Sequence, residues 1–341
     1  MDISLKELIV VHLCYREVFS APVAIADLKQ WIGISHENES RFNTAVCDLE
    51  DEGHVMRKDD YLVLIGREDY IESQQLKKSY TAQLIDEGKP SVTILGKLPF
   101  IKFIGISGSL AADNPTIDKS GVNKGAVDMD LFMITSRNTL WLFVLLERIY
   151  TNLRRAIMGP HFYCFNYVTD ESFLEVYNKN FYTATEIVNI KSLVDKGSFN
   201  DFVNQNLWYK NFYLKEKSGR SAESSNNSTN VWSYLFWIPN FLCFSLFCTL
   251  RATKRLDWKI LKEINLSFNP RNKCNLKRIS NPRGGYQEAI KQKFEHLLKE
   301  NFSKYYSPEL IQYLFPEDSL FGIDRLNIHD TEYAEAIMKY K

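Results

Sequence analysis

Apolar residues recur at two different periods in the first sixty-odd positions. Leu5, Leu8, Ile9, His12 and Leu13 follow helical spacing, which predicts an amphipathic helix. Val23-Ala-Ile-Ala-Asp-Leu-Lys-Gln-Trp-Ile starts a second helix, and a third runs through Arg41 to Leu49 and stops near Gly53. Val55-Met56 and Tyr61 to Ile65 then form two short apolar segments joined at Lys58-Asp59-Asp60, as in a hairpin. Three helices followed by a hairpin make residues 1–66 a winged-helix domain. Tyr70, Ile71, Leu76, Tyr80, Leu84 and Ile85 return to helical spacing and predict a helical connector over 67–97.

Beyond the connector the period shortens. Phe103 to Ser107 reads as a strand that ends in Gly108-Ser109, and Val127 to Ile134 reads as a second strand carrying Asp128 and Asp130. Strand side chains alternate faces, so the two carboxylates point the same way, where a shared divalent cation would offset their repulsion. A Gly-Ser turn supplies bare backbone N–H groups and a hydroxyl, the donors that cradle a phosphate. Between them Asp113 to Gly125 is a polar loop. A helix around Leu140 to Ile157 carries Arg148, Arg154 and Arg155, and His161 to Val168 is a third strand. Residues 98–217 thus form one α+β core. Residues 218–230 are rich in Ser and Asn and read as a linker, and 231–341 is a helical C-terminal domain.

The order strand, Gly108-Ser109, loop, Asp128-x-Asp130 strand resembles the nucleotidyltransferase core of the polymerase-β superfamily. Gly108-Ser-Leu-Ala111, Cys164-Phe-Asn-Tyr167, Tyr182-Thr-Ala-Thr-Glu186 and Asn206-Leu-Trp208 are similar to an uncharacterised bacterial group in which a winged helix precedes that core. The likeness covers most of residues 1 to 215 and fades beyond. It implies Mg²⁺ (or Mn²⁺) held by Asp128 and Asp130, and phosphates positioned by Gly108 and Ser109. The implied reaction moves a nucleoside monophosphate from a nucleoside triphosphate to an acceptor (protein, RNA or small molecule), releasing pyrophosphate. The segment between Ser109 and Asp128 is longer than the resemblance leads one to expect.

Such cores usually carry a third acid on the following strand, and here alternation places Asn166 at that position. An amide oxygen can ligate a cation but cannot take up a proton near neutral pH. Glu186 is the first substitute catalytic residue, with Asp170 or Glu171 next. If none substitutes, the protein is a catalytically inactive nucleotide-binding or scaffold protein. Asn166 and Asn206 are further nucleotide-binding candidates. Asn206 would hydrogen-bond and Trp208 stack on a base; the alternative is a capping Asn and a packed Trp.

Composition adds limits. The chain has 341 residues, of which 45% are hydrophobic, enough for two or three domains with cores of their own. Its 42 basic and 42 acidic residues cancel, so no global field draws it to nucleic acid. Glu37, Glu39, Asp48, Glu50, Asp51 and Glu52 surround a lone Arg41 on the third helix, which argues for partner docking rather than DNA binding. The six cysteines form no metal-binding pair and the start carries no signal-peptide pattern, consistent with a reducing, cytoplasmic setting. His161 begins the third strand near the presumed cleft, and the other five histidines show no ligand spacing.

Two further segments stand out. Val231 to Leu250 contains no charged residue and approaches the length of a membrane span. Pro239-Asn240 interrupts it, so a buried core helix broken at Pro239 is the main reading, with membrane association the alternative. Asn269 to Gly285 holds five cations and no acid, the composition of a loop able to fold over a triphosphate or an RNA backbone.

Overall fold

The computed structural model describes residues 3–115, 129–158, 163–213, 234–252, 274–275, 278–280 and 286–316. Helix α1 (Leu5–Val18) begins with a capping box, in which Glu7 N–H donates to the Ser4 hydroxyl (3.3 Å) and Ser4 N–H donates to the Glu7 carboxylate (2.7 Å). Val23–Ala24 pairs with a later strand as β1, so helix α2 (Ile25–Trp31) starts two residues after the sequence-based expectation. Helix α3 (Glu39–Asp51) leads into the antiparallel hairpin β2 (Val55–Lys58) and β3 (Tyr61–Leu64), which closes a three-stranded sheet of order β1-β3-β2. Glu52, just past α3, accepts from Lys304 (3.1 Å) and from the Tyr305 hydroxyl (3.1 Å), tying this N-terminal unit to the far end of the chain.

Helix α4 (Asp69–Gly96) is continuous through Pro90 and packs on the second sheet. That sheet consists of β4 (Ile101–Ile106), β5 (Met129–Thr135), β6 (Tyr163–Asp170), β7 (Lys191–Asp195), β8 (Cys274–Asn275) and β9 (Arg278–Ser280), in the order β7-β4-β5-β6-β9-β8. Among the described strands only β5 and β6 run parallel, joined across helix α6 (Leu140–Met158), as a parallel pair requires. Side chains on β5 alternate between two cores. Phe132 and Ile134 join Phe103, Phe181 and Phe202 with the N-terminal unit, whereas Leu131 and Met133 join α4 and α6. The sheet is therefore a middle layer in an α+β protein. Helices α7 (Phe181–Asn189) and α8 (Ser198–Gln205) cover its first face.

Three sequence-based expectations change here. The described part of the third strand, β6, starts at Tyr163, and His161 lies outside the described residues. Its register skips Asn166, since Leu131 faces Phe165 while Phe132 faces Tyr167, and this bulge breaks the alternation assumed for Asn166. The basic stretch is not wholly a loop, because Arg278–Ser280 pairs with Tyr167–Thr169 and extends the sheet. Helix α9 (Trp237–Ala252) likewise differs from a fully buried helix broken at Pro239. Pro239 sits in its first turn, where a missing N–H is tolerated, and Asn240 accepts from Trp141 N–H (2.7 Å). Phe244 and Phe247 pack on Trp141 while Ile238, Leu242 and Leu246 stay exposed. Among the described residues no helix is long and apolar enough to cross a membrane. Helices α10 (Tyr286–Asn301) and α11 (Pro308–Leu314) complete the first core.

Candidate functional site

Strand β4 delivers the chain to Ser107, and the turn that follows is fixed to β5. Ser107 N–H donates to the Asp130 carbonyl at 2.8 Å, and its hydroxyl reaches the same oxygen at 3.4 Å. Gly108 then adopts φ +67°, a left-handed conformation that L side chains rarely take. A Cβ at this position would stand 2.6 Å from the Asp130 carboxylate oxygen Oδ2, so both the backbone and the neighbouring acid require glycine. Helix α5 (Gly108–Ala111) is a single turn, and Ser109 is exposed upon it.

From the other side comes Glu186. Its helix, α7, is capped by Asn180, whose side chain accepts from Thr183 N–H at 2.9 Å. The helix buries Phe181, Ala184, Thr185, Ile187 and Val188 and holds Glu186 half-buried toward the sheet. The Thr185 and Tyr213 hydroxyls lie 2.6 Å apart and steady this helix from behind. Glu186 Oε2 accepts the Gly108 N–H at 3.2 Å, a contact between residues 78 positions apart. Burial pushes the Glu186 carboxyl up to about 7; the Asp130 charge adds to the rise, and the Gly108 N–H opposes it. Asp130 lies on the same face of β5 as Phe132 and Ile134, the face that α7 covers.

Gly108, Asp130 and Glu186 thus converge, with Ser109 open to solvent beside them. Asp128 lies outside the described residues. Among the described residues no group of three or more His, Cys, Asp or Glu is placed to hold a metal ion. The donor set is nonetheless suited to a hard cation: a carboxylate and a carboxyl crowd one glycine, and their mutual repulsion is what a divalent ion would relieve.

The remaining candidates have other partners. Asp170 is fully buried at the far end of β6 and accepts from Asn138 N–H (2.5 Å), Ser172 N–H (2.8 Å) and the Ser172 hydroxyl (2.6 Å). Glu171 accepts from Arg137 N–H at 2.9 Å. Both therefore hold the turn after β5, about 17 Å along the strand from Asp130 at roughly 3.3 Å per residue. Asn206 is also fully buried. Its amide donates to the Leu174 and Phe202 carbonyls (2.8 Å each), and its oxygen accepts from Val176 N–H (2.8 Å) and the Trp208 indole (3.2 Å). The Asn206-Trp208 pair pins a loop and offers no edge to a nucleotide. Asn166 stays half-buried at the bulge in β6, not on the regular face that alternation assigned to it.

One neighbour was not legible in the sequence. Lys191, at the start of β7, donates to the Leu110 carbonyl (3.3 Å) and the Asp113 carboxylate (2.5 Å), securing the C-terminal side of α5. A lone lysine gives no spacing signal, and only the pairing of β7 with β4 brings it there. Set against known proteins, the chain matches no family model, no curated protein and no solved structure.

Proposed function

We propose that this protein binds a nucleoside triphosphate with a divalent cation and transfers its nucleoside monophosphate to an acceptor, releasing pyrophosphate. The observation that carries this reading is Gly108, wedged without a side chain between Asp130 and Glu186 with exposed Ser109 beside it. The backbone and hydroxyl of the turn orient the phosphates. Asp130 and Glu186, with Asp128 from the sequence pattern, would hold Mg²⁺ or Mn²⁺. When bound, the ion offsets charge on the phosphates. Glu186, whose carboxylate lies against the Gly108 N–H, is the residue suited to accept the acceptor's proton.

The test is triphosphate binding and turnover. Mg²⁺-dependent binding that is saturable in the native protein and collapses in the Asp128→Ala/Asp130→Ala variant supports the site, and unchanged binding removes it. Labelled triphosphate incubated with a cell extract then separates two readings. Pyrophosphate release or label on an acceptor supports the enzyme. Binding without turnover supports a non-catalytic nucleotide sensor.

A further inference from the structure

A cavity of about 220 Å³ lies where the N-terminal unit, α4 and the end of α5 meet. Its polar lining includes Arg16, Asp27, Tyr61, Lys78, Asp113 and Lys191. It shares Ala24, Asp27, Tyr61 and Lys78 with a wider surface hollow of about 580 Å³, which gives it an entrance. Ala111 and Ala112 form part of its wall, so it lies behind the one-turn helix whose front carries Gly108.

The charges around this cavity are not balanced. Lys191 and Asp113 pair at 2.5 Å and neutralise each other. Lys78 donates to the Tyr61 hydroxyl at 2.9 Å and lies over the Tyr61 ring. Arg16 donates to the Pro22 (3.3 Å) and Ala112 (3.4 Å) carbonyls, and among the described residues no carboxylate forms an ion pair with it. Two cations thus face one remaining acid, Asp27. A guanidinium bonded only to carbonyls has N–H groups free to grip a bidentate anion, the strongest partner available to it. Burial, and after it the Arg16 charge, push the neighbouring Lys77 amine down to about 8 against the opposing charge of Asp69, and Asn114 and the Ser20 carbonyl accept from it.

We propose that this cavity is a second ligand site, taking a small molecule that carries one phosphate or carboxylate group. Arg16 and Lys78 anchor the anion. Asp27 accepts from hydroxyl or amino groups at the ligand's other end, and Tyr61 supplies an aromatic wall. A ligand seated there touches α1, α2, β3, α4 and the end of α5 together, and so bridges the N-terminal unit and the turn that holds Gly108. The site is independent of the nucleotidyl-transfer reading, since Asp130 and Glu186 take no part in it.

Isothermal titration calorimetry of the full chain with inorganic phosphate and with acetate tests it. The expected result is saturable binding of at least one probe, weakened about tenfold by Lys78→Gln and more by Arg16→Gln, the loss of a charge-assisted contact in each. Binding should be unchanged in Asp130→Asn, which also separates this site from the triphosphate site. Which probe binds more tightly tells phosphate from carboxylate chemistry. Arg16 also holds two carbonyls, so if its variant loses its cooperative melting transition, Lys78→Gln alone decides. No saturable binding of either probe, or equal binding in Lys78→Gln and the native chain, overturns the proposal.

Discussion

Two ends of one strand pair hold buried or half-buried acids in opposite states. At the far end, Asp170 has no exposed surface, yet its oxygens accept two backbone N–H groups and a hydroxyl. At the near end, Glu186 is half-buried with one N–H donor from Gly108 and the Asp130 carboxylate for company. The first acid is compensated and fixes a turn. The second is pressed toward its neutral form and gains from any cation that arrives. Burial alone therefore does not separate a structural acid from a candidate chemical one; the donors around it do.

The largest effect that tests this contrast is expected at the compensated end. Asp170→Ala leaves the Asn138 and Ser172 donors unpaired in a buried turn and should cost about 3 kcal/mol, read by urea unfolding. Triphosphate binding by the folded fraction should persist, and a small stability loss would erase the distinction between the two ends.

Gly108→Ala acts at the other end. The left-handed φ and the 2.6 Å approach to Asp130 should cost about 1–3 kcal/mol and reduce Mg²⁺-triphosphate affinity at least tenfold. Calorimetry measures the affinity and urea unfolding the stability. Native-like binding would show that the turn does not cradle phosphate.

Glu186→Gln sharpens the comparison through pH. The folded chain holds the Glu186 proton more tightly than the unfolded chain, with a pKa of about 7 against an ordinary 4.5. That contribution to stability is complete below pH 4.5 and is lost as pH rises through 7. The glutamine variant should lack this decline. By pH 8 it should be the more stable form by on the order of 1–2 kcal/mol, the lower part of the range because Glu186 is only half-buried. Urea unfolding from pH 4.5 to 8 without divalent ions measures it. Adding Mg²⁺ at pH 8 should narrow the gap by stabilising the native protein, and parallel curves for the two proteins would remove the proposed titration.

The smallest effect is expected from Ser109→Ala. The side chain is exposed, so stability should change by less than about 0.5 kcal/mol, while triphosphate affinity falls roughly three- to tenfold with one lost hydrogen bond. A melting curve and a binding isotherm suffice.

Much of the local architecture was legible from spacing. The apolar rows of α1, α3, α4 and α6 appear at the expected places, because a helix is encoded in neighbours three and four residues apart. The hairpin β2-β3 follows from two apolar runs and a polar joint. Strand ends were less legible. The bulge at Asn166 and the entry of Arg278–Ser280 into the sheet depend on which strand lies alongside, which no local pattern records. Asn206 shows the same limit, since as a sequence feature it suited a base edge equally well. The loop that folds back over it, from Leu174 to Val176, takes up its amide together with the Phe202 carbonyl and the Trp208 indole.

The candidate site divides along the same line. The sequence by itself determined the Gly-Ser turn after β4 and the apolar strand that presents Asp130, because turn sterics and strand alternation act between adjacent residues. It placed Glu186 first, with Asp170 or Glu171 next, as substitutes for the missing acid, and recorded none of the contacts that separate them. Tertiary packing decided that Glu186 meets Gly108 across 78 positions, that Asp170 and Glu171 are committed to a distant turn, and that Arg16 borders a cavity where, among the described residues, it donates to carbonyls. The physical reason is that a charged group's role is set by its desolvation and its nearest donors. Both belong to the packed chain and not to any stretch of it.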